Sequence, residues 1–337
     1  MHIAKAVLGL VGTVALSMTV AQAATTYPLT IQNCGRSLTF EAPPASVVSI
    51  GQSSTEILYL LGLADKVAAT ALWFGPVLPA FADADAAIER LSDNDPSFES
   101  VVAKRPALVT TQFEWQIGPQ GVVGTTAQFE ELGIPVYTAP SDCTGKDNSG
   151  GGDGVRTEPF TMDQIHQEIR DLAAIFDVTD RGDALVLQLK EREAKARSRV
   201  AQVGSDMSAV FWFSSTELRA DPFVAGSNGA PGTIMEALGL RNVIVSDEEW
   251  PLVGWETIAR SDPTFIVAAQ MDRRRYPADD AGVKKEFLTK DPVTKLMPAV
   301  RDGRILTLDA QTMNPTIRTI DGIEALADAI AASRPAE

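Results

Sequence analysis

The residues of this 337-residue chain that bear most directly on chemistry are its five tryptophans and a run of three arginines. Trp73 with Phe74, Phe113 with Trp115, and Trp212 with Phe213 each stand at or just beyond a short run that reads as a β-strand. Trp250 lies in a loop beyond another such run, and Trp255 stands close by. Gln52 and Ser53 follow the first run, and Asn314 follows the last, near Met313. Flat aromatic faces bury much area at small side-chain entropy cost, which suits a large, rigid, amphipathic ligand. Arg273, Arg274 and Arg275 come directly after a strand, and Arg219 sits on a neighbouring loop. One reading is a solvated loop. The other is a positive lining that makes charge-assisted bonds to ligand oxygens.

Composition argues against catalysis. His2 falls in a leader, so His166 is the one histidine left to act as a base, and no G-x-S-x-G elbow is present. Cysteine catalysis would need Cys34 or Cys143 free. Acids are plentiful enough for a carboxylate-only glycosidase, but that reading would not account for the duplicated pattern below. A histidine-rich zinc or manganese site is impossible with one histidine, and any iron is expected to arrive with its own chelator. No enzyme and no cofactor are expected.

Residues 1–23 read as a signal peptide. Lys5 supplies the positive end, Ala6–Val20 is a short apolar run, and Ala21-Gln-Ala23 is a cleavage signature. The mature chain is then expected in the periplasm, soluble and monomeric. It loses Lys5, the leader's single charge, so its net charge moves from −15 to −16. That argues against nucleic acid as a partner. In an oxidising compartment Cys34 and Cys143 read as a disulfide, the alternative being two unrelated buried thiols.

The elements that position these residues alternate. Strands are predicted at Ser46–Ile50, Val67–Leu72, Leu108–Thr111 and Pro135–Thr138, with helices between them at Ile57–Leu61, Phe98–Lys104 and Ala127–Leu132. The pattern restarts with strands at Ala209–Phe213, Val243–Val245, Phe265–Ala268 and Ile305–Leu308. Such spacing predicts parallel sheets covered on both faces. Gly145–Gly154 reads as a mobile surface loop. Between the halves, Arg181–Val203 is rich in strong helix formers, with Leu185, Leu189, Ala196 and Val200 on one face. Asp180 is a candidate cap and Gly204 a candidate stop. The expected division is a first lobe over 24–178, a connecting helix over 179–203 and a second lobe over 204–337.

Two blocks recur without gaps. Ile57–Val67 matches Ile234–Ile244, and Phe98–Val109 matches Trp255–Ile266. In the second block an aromatic residue followed by Glu99 or Glu256 opens each helix. A first-turn carboxylate favours a helix start by about 0.3–1 kcal/mol, which explains one such residue. A matched pair also reads as two acidic docking points, one per lobe.

The order VVSIGQSSTEILYLLGLADKVAAT, SFESVVAKRPALVTT and ELGIPVY, then PFVAGSNGAPGTIMEALGLRNVI, WPLVGWETIARSDPTFIVAA and VRDGRILTLDA, resembles a periplasmic substrate-binding protein. The group is the one serving ABC importers of ferric siderophores and cobalamin. The resemblance implies two Rossmann-like α/β lobes with central parallel sheets, joined by one long helix (the class III architecture), with ligand held between them. It implies a permease with its ATPase as partner, and places Glu99 and Glu256 where the family pairs with permease arginines. It implies a metal-chelate ligand, and the arginine cluster then favours an anionic ferric chelate over the less charged cobalamin, with a haem-binding receptor of the same family as a further alternative.

Overall fold

The structure is a computed structural model that describes residues 24–119, 121–201 and 206–333. The leader, Val203 and Gly204 lie outside the described residues. In the first lobe β1 (Leu29–Asn33) and β2 (Arg36–Phe40) form an antiparallel hairpin. There follow β3 (Val47–Ile50), α1 (Gln52–Leu60), β4 (Val67–Ala71), α2 (Ala82–Ala87), β5 (Arg90–Ser92), α3 (Phe98–Val102), β6 (Leu108–Thr111), α4 (Thr126–Glu131) and β7 (Val136–Thr138). The sheet order is β5-β4-β3-β6-β7, parallel throughout. Every residue of β3 and β6 is buried, as a parallel sheet covered on both faces requires.

The glycine-rich stretch after β7 is not the unstructured loop expected. It carries β8 (Lys146–Asp147) and β9 (Val155–Arg156), a two-stranded antiparallel ladder. The Cys34–Cys143 disulfide ties the start of this segment to the β1–β2 turn.

Next come α5 (Met162–Ile175) and α6 (Thr179–Val200). Helix α6 is the connecting rod, 22 residues and so about 33 Å long. It starts two residues earlier than the sequence indicates, with Val178 at the cap position and Asp180 in the first turn. Leu185, Leu189, Ala196 and Val200 are buried on the predicted face, which packs against α5 and the last helix of the chain. Gly182 permits the close approach to α5, since a Cβ there would lie 2.5 Å from the Ala173 methyl.

The second lobe holds β10 (Ser208–Ser214), β11 (Phe223–Val224), α7 (Ala230–Leu238), β12 (Arg241–Asn242), α8 (Trp255–Ser261), β13 (Phe265–Gln270), α9 (Ala281–Lys290), α10 (Pro298–Arg301), β14 (Ile305–Asp309) and α11 (Thr319–Ala332). Its sheet runs β11-β10-β13-β14, with β12 beside β10. This sheet is mixed, because β11 returns antiparallel to β10. The chain between them is too short for a parallel crossover, which needs a dozen residues or more. The strand predicted at Val243–Val245 is displaced to Arg241–Asn242. Asn242 Oδ1 accepts from Ile244 N (2.9 Å) and turns the chain away, leaving Val245 fully exposed.

Gly62 and Gly239, the matched glycines of the first repeated block, have φ +71° and +68° and stop α1 and α7 in the left-handed conformation.

Candidate functional site

Between the lobes lies a cleft of about 760 Å³, reached by the carboxyl ends of the strands of both sheets. From the first lobe come Phe74, Phe113 and Trp115; from the second come Phe213, Trp250 and Asn314. The aromatic residues form two stacked pairs. Phe113 and Trp115 have ring centroids 5.7 Å apart at 25°, and Phe213 and Trp250 are 4.4 Å apart at 28°. Phe74 meets Phe113 edge-on at 6.3 Å.

Gln52 and Ser53, expected in the site, are not among the residues that line the cleft. Both are buried and spent on the chain itself. Gln52 Oε1 accepts from Phe74 N (3.0 Å) and Gly75 N (3.2 Å), and its Nε2 donates to Pro76 O (3.0 Å). Ser53 Oγ accepts from Ile317 N (3.1 Å). These residues position the Phe74–Pro76 wall and the neighbouring lobe rather than touching the cleft.

Trp73 and Trp212 are likewise core, each 1% exposed. Trp73 Nε1 donates to Thr70 Oγ1 (3.1 Å) and Trp212 Nε1 to Ser215 Oγ (2.9 Å). Trp212 packs edge-on against Trp255 at 4.7 Å. Successive side chains along an extended chain face opposite ways. Of the neighbours Trp73/Phe74 and Trp212/Phe213, only one each therefore reaches the cleft.

The arginines do not build a positive lining. Of the three consecutive residues only Arg273 lines the cleft, and its guanidinium crosses to the first lobe, donating to Trp73 O, Asp93 O and Asn94 Oδ1. Arg274 pairs with Asp280 at 2.7 Å, and Arg275 lies over the Tyr276 ring. Arg219 is 81% exposed on its side chain and sits in a separate depression with Glu217, Glu286 and Asp291. The charged residues of the cleft are Asp153, Asp272 and Asp309 against Arg273 and Arg318, so the lining leans negative.

Sequence reasoning missed Arg318 and its partner. Arg318 Nε donates to Glu56 Oε2 (2.9 Å), and Nη2 donates to Glu56 Oε1 and to Pro76 O (2.7 Å). Its Nη1 reaches Asp309 Oδ2 at 3.4 Å. Burial of the guanidinium opposes its charge, but Glu56 and Asp309 outweigh that and hold its pKa above the ordinary arginine value. Also missed were Met271 and Gln311 in the walls, and Gly152 and Asp153 from the β8–β9 segment.

No cluster of three or more His, Cys, Asp or Glu able to hold a metal occurs among the described residues. No helix among them is long and apolar enough to cross a membrane. Glu99 and Glu256 are exposed in the first turns of α3 and α8, and neither forms an ion pair among the described residues.

A family model described as periplasmic binding protein matches residues 47–312. An uncharacterized ABC transporter substrate-binding lipoprotein of Bacillus subtilis, YvrC, is 20% identical over 308 residues, covering 90% of this chain and 86% of that protein. The vitamin B12-binding protein of Vibrio parahaemolyticus is 22% identical over 284 residues, covering 83% and 87%. A crystal structure of an ABC-type Fe3+-hydroxamate transport system from Saccharomonospora viridis shares the fold. Its TM-score is 0.70, with 24% identity and coverage of 90% of this chain and 99% of that one.

Proposed function

The chain belongs to the periplasmic binding protein family, and on that premise we propose that it is the ligand-capturing component of an ABC importer, working in the periplasm. Members of the family bind and hand over a substrate rather than convert it. The ligand is a metal chelate that brings its own coordination sphere, gripped between the stacked pairs Phe113/Trp115 and Phe213/Trp250. Haem fits less well, because the lining holds neither histidine nor tyrosine to take the iron.

The observation that carries the choice of chelate is the charge of the cleft. Three carboxylates line it, Asp153 paired with Lys146 (3.1 Å), Asp309 with Arg318 (3.4 Å) and Asp272 in no ion pair among the described residues, and both arginines are largely spent on protein acceptors. A ferric tris-catecholate, strongly anionic, would meet repulsion there. A ferric tris-hydroxamate carries three single negative charges on a trivalent ion and is neutral at its centre, so it enters without that cost. The expected cargo is therefore a ferric hydroxamate siderophore. Similarity to a vitamin B12-binding protein favours cobalamin as the second reading, since an aromatic-walled cleft suits a corrin as well.

A thermal-shift comparison tests the choice. A ligand at 100 times its Kd stabilises the native state by about 2.7 kcal/mol. Ferric desferrioxamine is expected to raise the Tm by several degrees and ferric tris-catecholate to leave it unchanged. The reverse order would overturn the charge argument.

The loaded protein then docks through Glu99 and Glu256 on basic residues of the permease. Support comes from their equivalent places at the starts of α3 and α8 and from their freedom from other ion pairs among the described residues. Rim charges of this kind set encounter rate and register more than affinity.

A further inference from the structure

Beside the main cleft lies a small polar annex of about 30 Å³. It shares Phe113, Trp250, Asn314 and Asp153 with the cleft, so a group attached to a bound ligand reaches it without leaving the aromatic walls. Arg156 of β9, which is 5% exposed, lines it. Arg156 Nη2 donates to Ser141 O at 2.9 Å. The Nε and Nη1 atoms are buried and have no hydrogen-bond partner. Glu249 Oε2 lies 3.5 Å from Nε, which pairs the charges without making a hydrogen bond.

Buried guanidinium donors without acceptors are costly, and a native protein leaves few of them. A cavity of this size admits about two water-sized groups, and Arg156 is among the residues that line it. Charge decides what fits. Lys146 and Arg156 stand against Asp142, Asp153 and Glu249 around the annex, a balance that disfavours another anion. Lys146 is already held by Asp142 (2.5 Å) and Asp153 (3.1 Å). What remains is a pair of N–H donors on Arg156 beside the Glu249 carboxylate, an acceptor. A carboxamide presents the complement of both: a carbonyl oxygen to accept and an N–H to donate.

We propose that the annex is a ligand subsite that seats an amide group of the bound chelate, its carbonyl accepting from Arg156 and its N–H donating to Glu249. This rests on the reading of the cleft as a chelate site and adds to it the chemical class of the ligand's side arm. The β8–β9 segment thus carries specificity as well as cover, since it places Arg156 against Glu249 of the opposite lobe.

Two probes separate the subsite from the cleft. Ferric desferrioxamine bears amides in its backbone; ferric tris(acetohydroxamate) has the same iron centre and none. Binding is followed by tryptophan fluorescence in the wild type, Arg156→Lys and Glu249→Gln. The substitutions are expected to weaken the amide-bearing chelate about tenfold to a hundredfold and to change the simple one less than about twofold. Equal losses for both chelates, or no loss for either, would overturn the subsite. The second measurement needs no variant and no chelate: the Arg156 Nε–H resonance of the wild-type protein is followed as acetamide is added. It is expected to shift and saturate. If it stays still, the subsite is overturned. If neither chelate binds while acetamide does, the hydroxamate reading fails and the amide subsite stands.

Discussion

Arg318 of the second lobe and Glu56 of the first form a two-point ion pair under the cleft, 262 residues apart in sequence, with Glu56 0% exposed. The same guanidinium holds Pro76 O, and Leu78 N donates to Glu56 Oε1 at 3.2 Å. One pair therefore fixes both the floor between the lobes and the Phe74–Val77 wall of the site.

Removing one partner leaves a buried charge uncompensated. Arg318→Met is expected to cost about 3–5 kcal/mol in urea unfolding, and Glu56→Gln less, because Arg318 keeps Asp309 Oδ2 (3.4 Å) and Pro76 O. The double variant Glu56→Leu with Arg318→Met should recover much of that loss, because no charge is then stranded. Recovery of stability without recovery of ligand affinity would separate the pair's positioning role from its contribution to the fold.

Much of the architecture was legible in the sequence. The βα alternation, the α6 rod and the repeated helix stops at Gly62 and Gly239 all follow from local periodicity and backbone chemistry. Phe74, Phe113, Trp115, Phe213, Trp250 and Asn314 were legible as cleft residues because strand ends in parallel sheets mark the crevice. The two-residue alternation of an extended chain was also there to read, and it separates Phe74 from Trp73 and Phe213 from Trp212. The arginine run misleads because Arg274 is taken by Asp280, a carboxylate further along the same loop. No local signal joins Glu56 to Arg318, since ion pairing across 262 residues is a product of tertiary packing alone. The β8–β9 segment escaped because glycine content hides strand pairing.

The division of labour among aromatic residues has a mutational signature. Trp250→Ala and Phe113→Ala are expected to lower ligand affinity about tenfold or more, through loss of stacked area, with little change in urea midpoint. Trp212→Ala should instead cost about 3–5 kcal/mol of stability, because Trp212 fills a core shared with Trp255 and Phe287. Fluorescence titration alongside chemical denaturation distinguishes the two outcomes.

Glu168 of α5 gives a pH dependence with a definite sign. It is 1% exposed, accepts from Ser54 Oγ at 2.7 Å, and burial raises its carboxyl from 4.5 to about 7. The native state then holds this proton more tightly than the unfolded chain does. Stability therefore falls as pH climbs from about 4.5 to about 7 and levels off above that. Glu168→Gln keeps an acceptor for Ser54 and removes the titration. The variant should gain on the wild type at pH 8, by about 3 kcal/mol at most, and lose that advantage at pH 4. Urea midpoints at the two pH values check it.

Glu99→Ala combined with Glu256→Ala tests docking apart from capture. Ligand affinity should remain within about twofold, since both residues lie outside the cleft, while transport into cells or proteoliposomes collapses. Transport at the wild-type rate would remove the docking assignment.

The central claim is that this chain holds an intact metal chelate between its lobes and returns it unchanged. Calorimetric titration with ferric desferrioxamine, iron-free desferrioxamine and ferric citrate, followed by recovery and mass analysis of the bound material, addresses it directly. The account predicts saturation at one ferric desferrioxamine per chain, recovery of the same complex, and affinity about tenfold weaker or worse in Trp250→Ala. Saturable uptake of iron from ferric citrate with the citrate left behind, or recovery of an altered chelate, would contradict it.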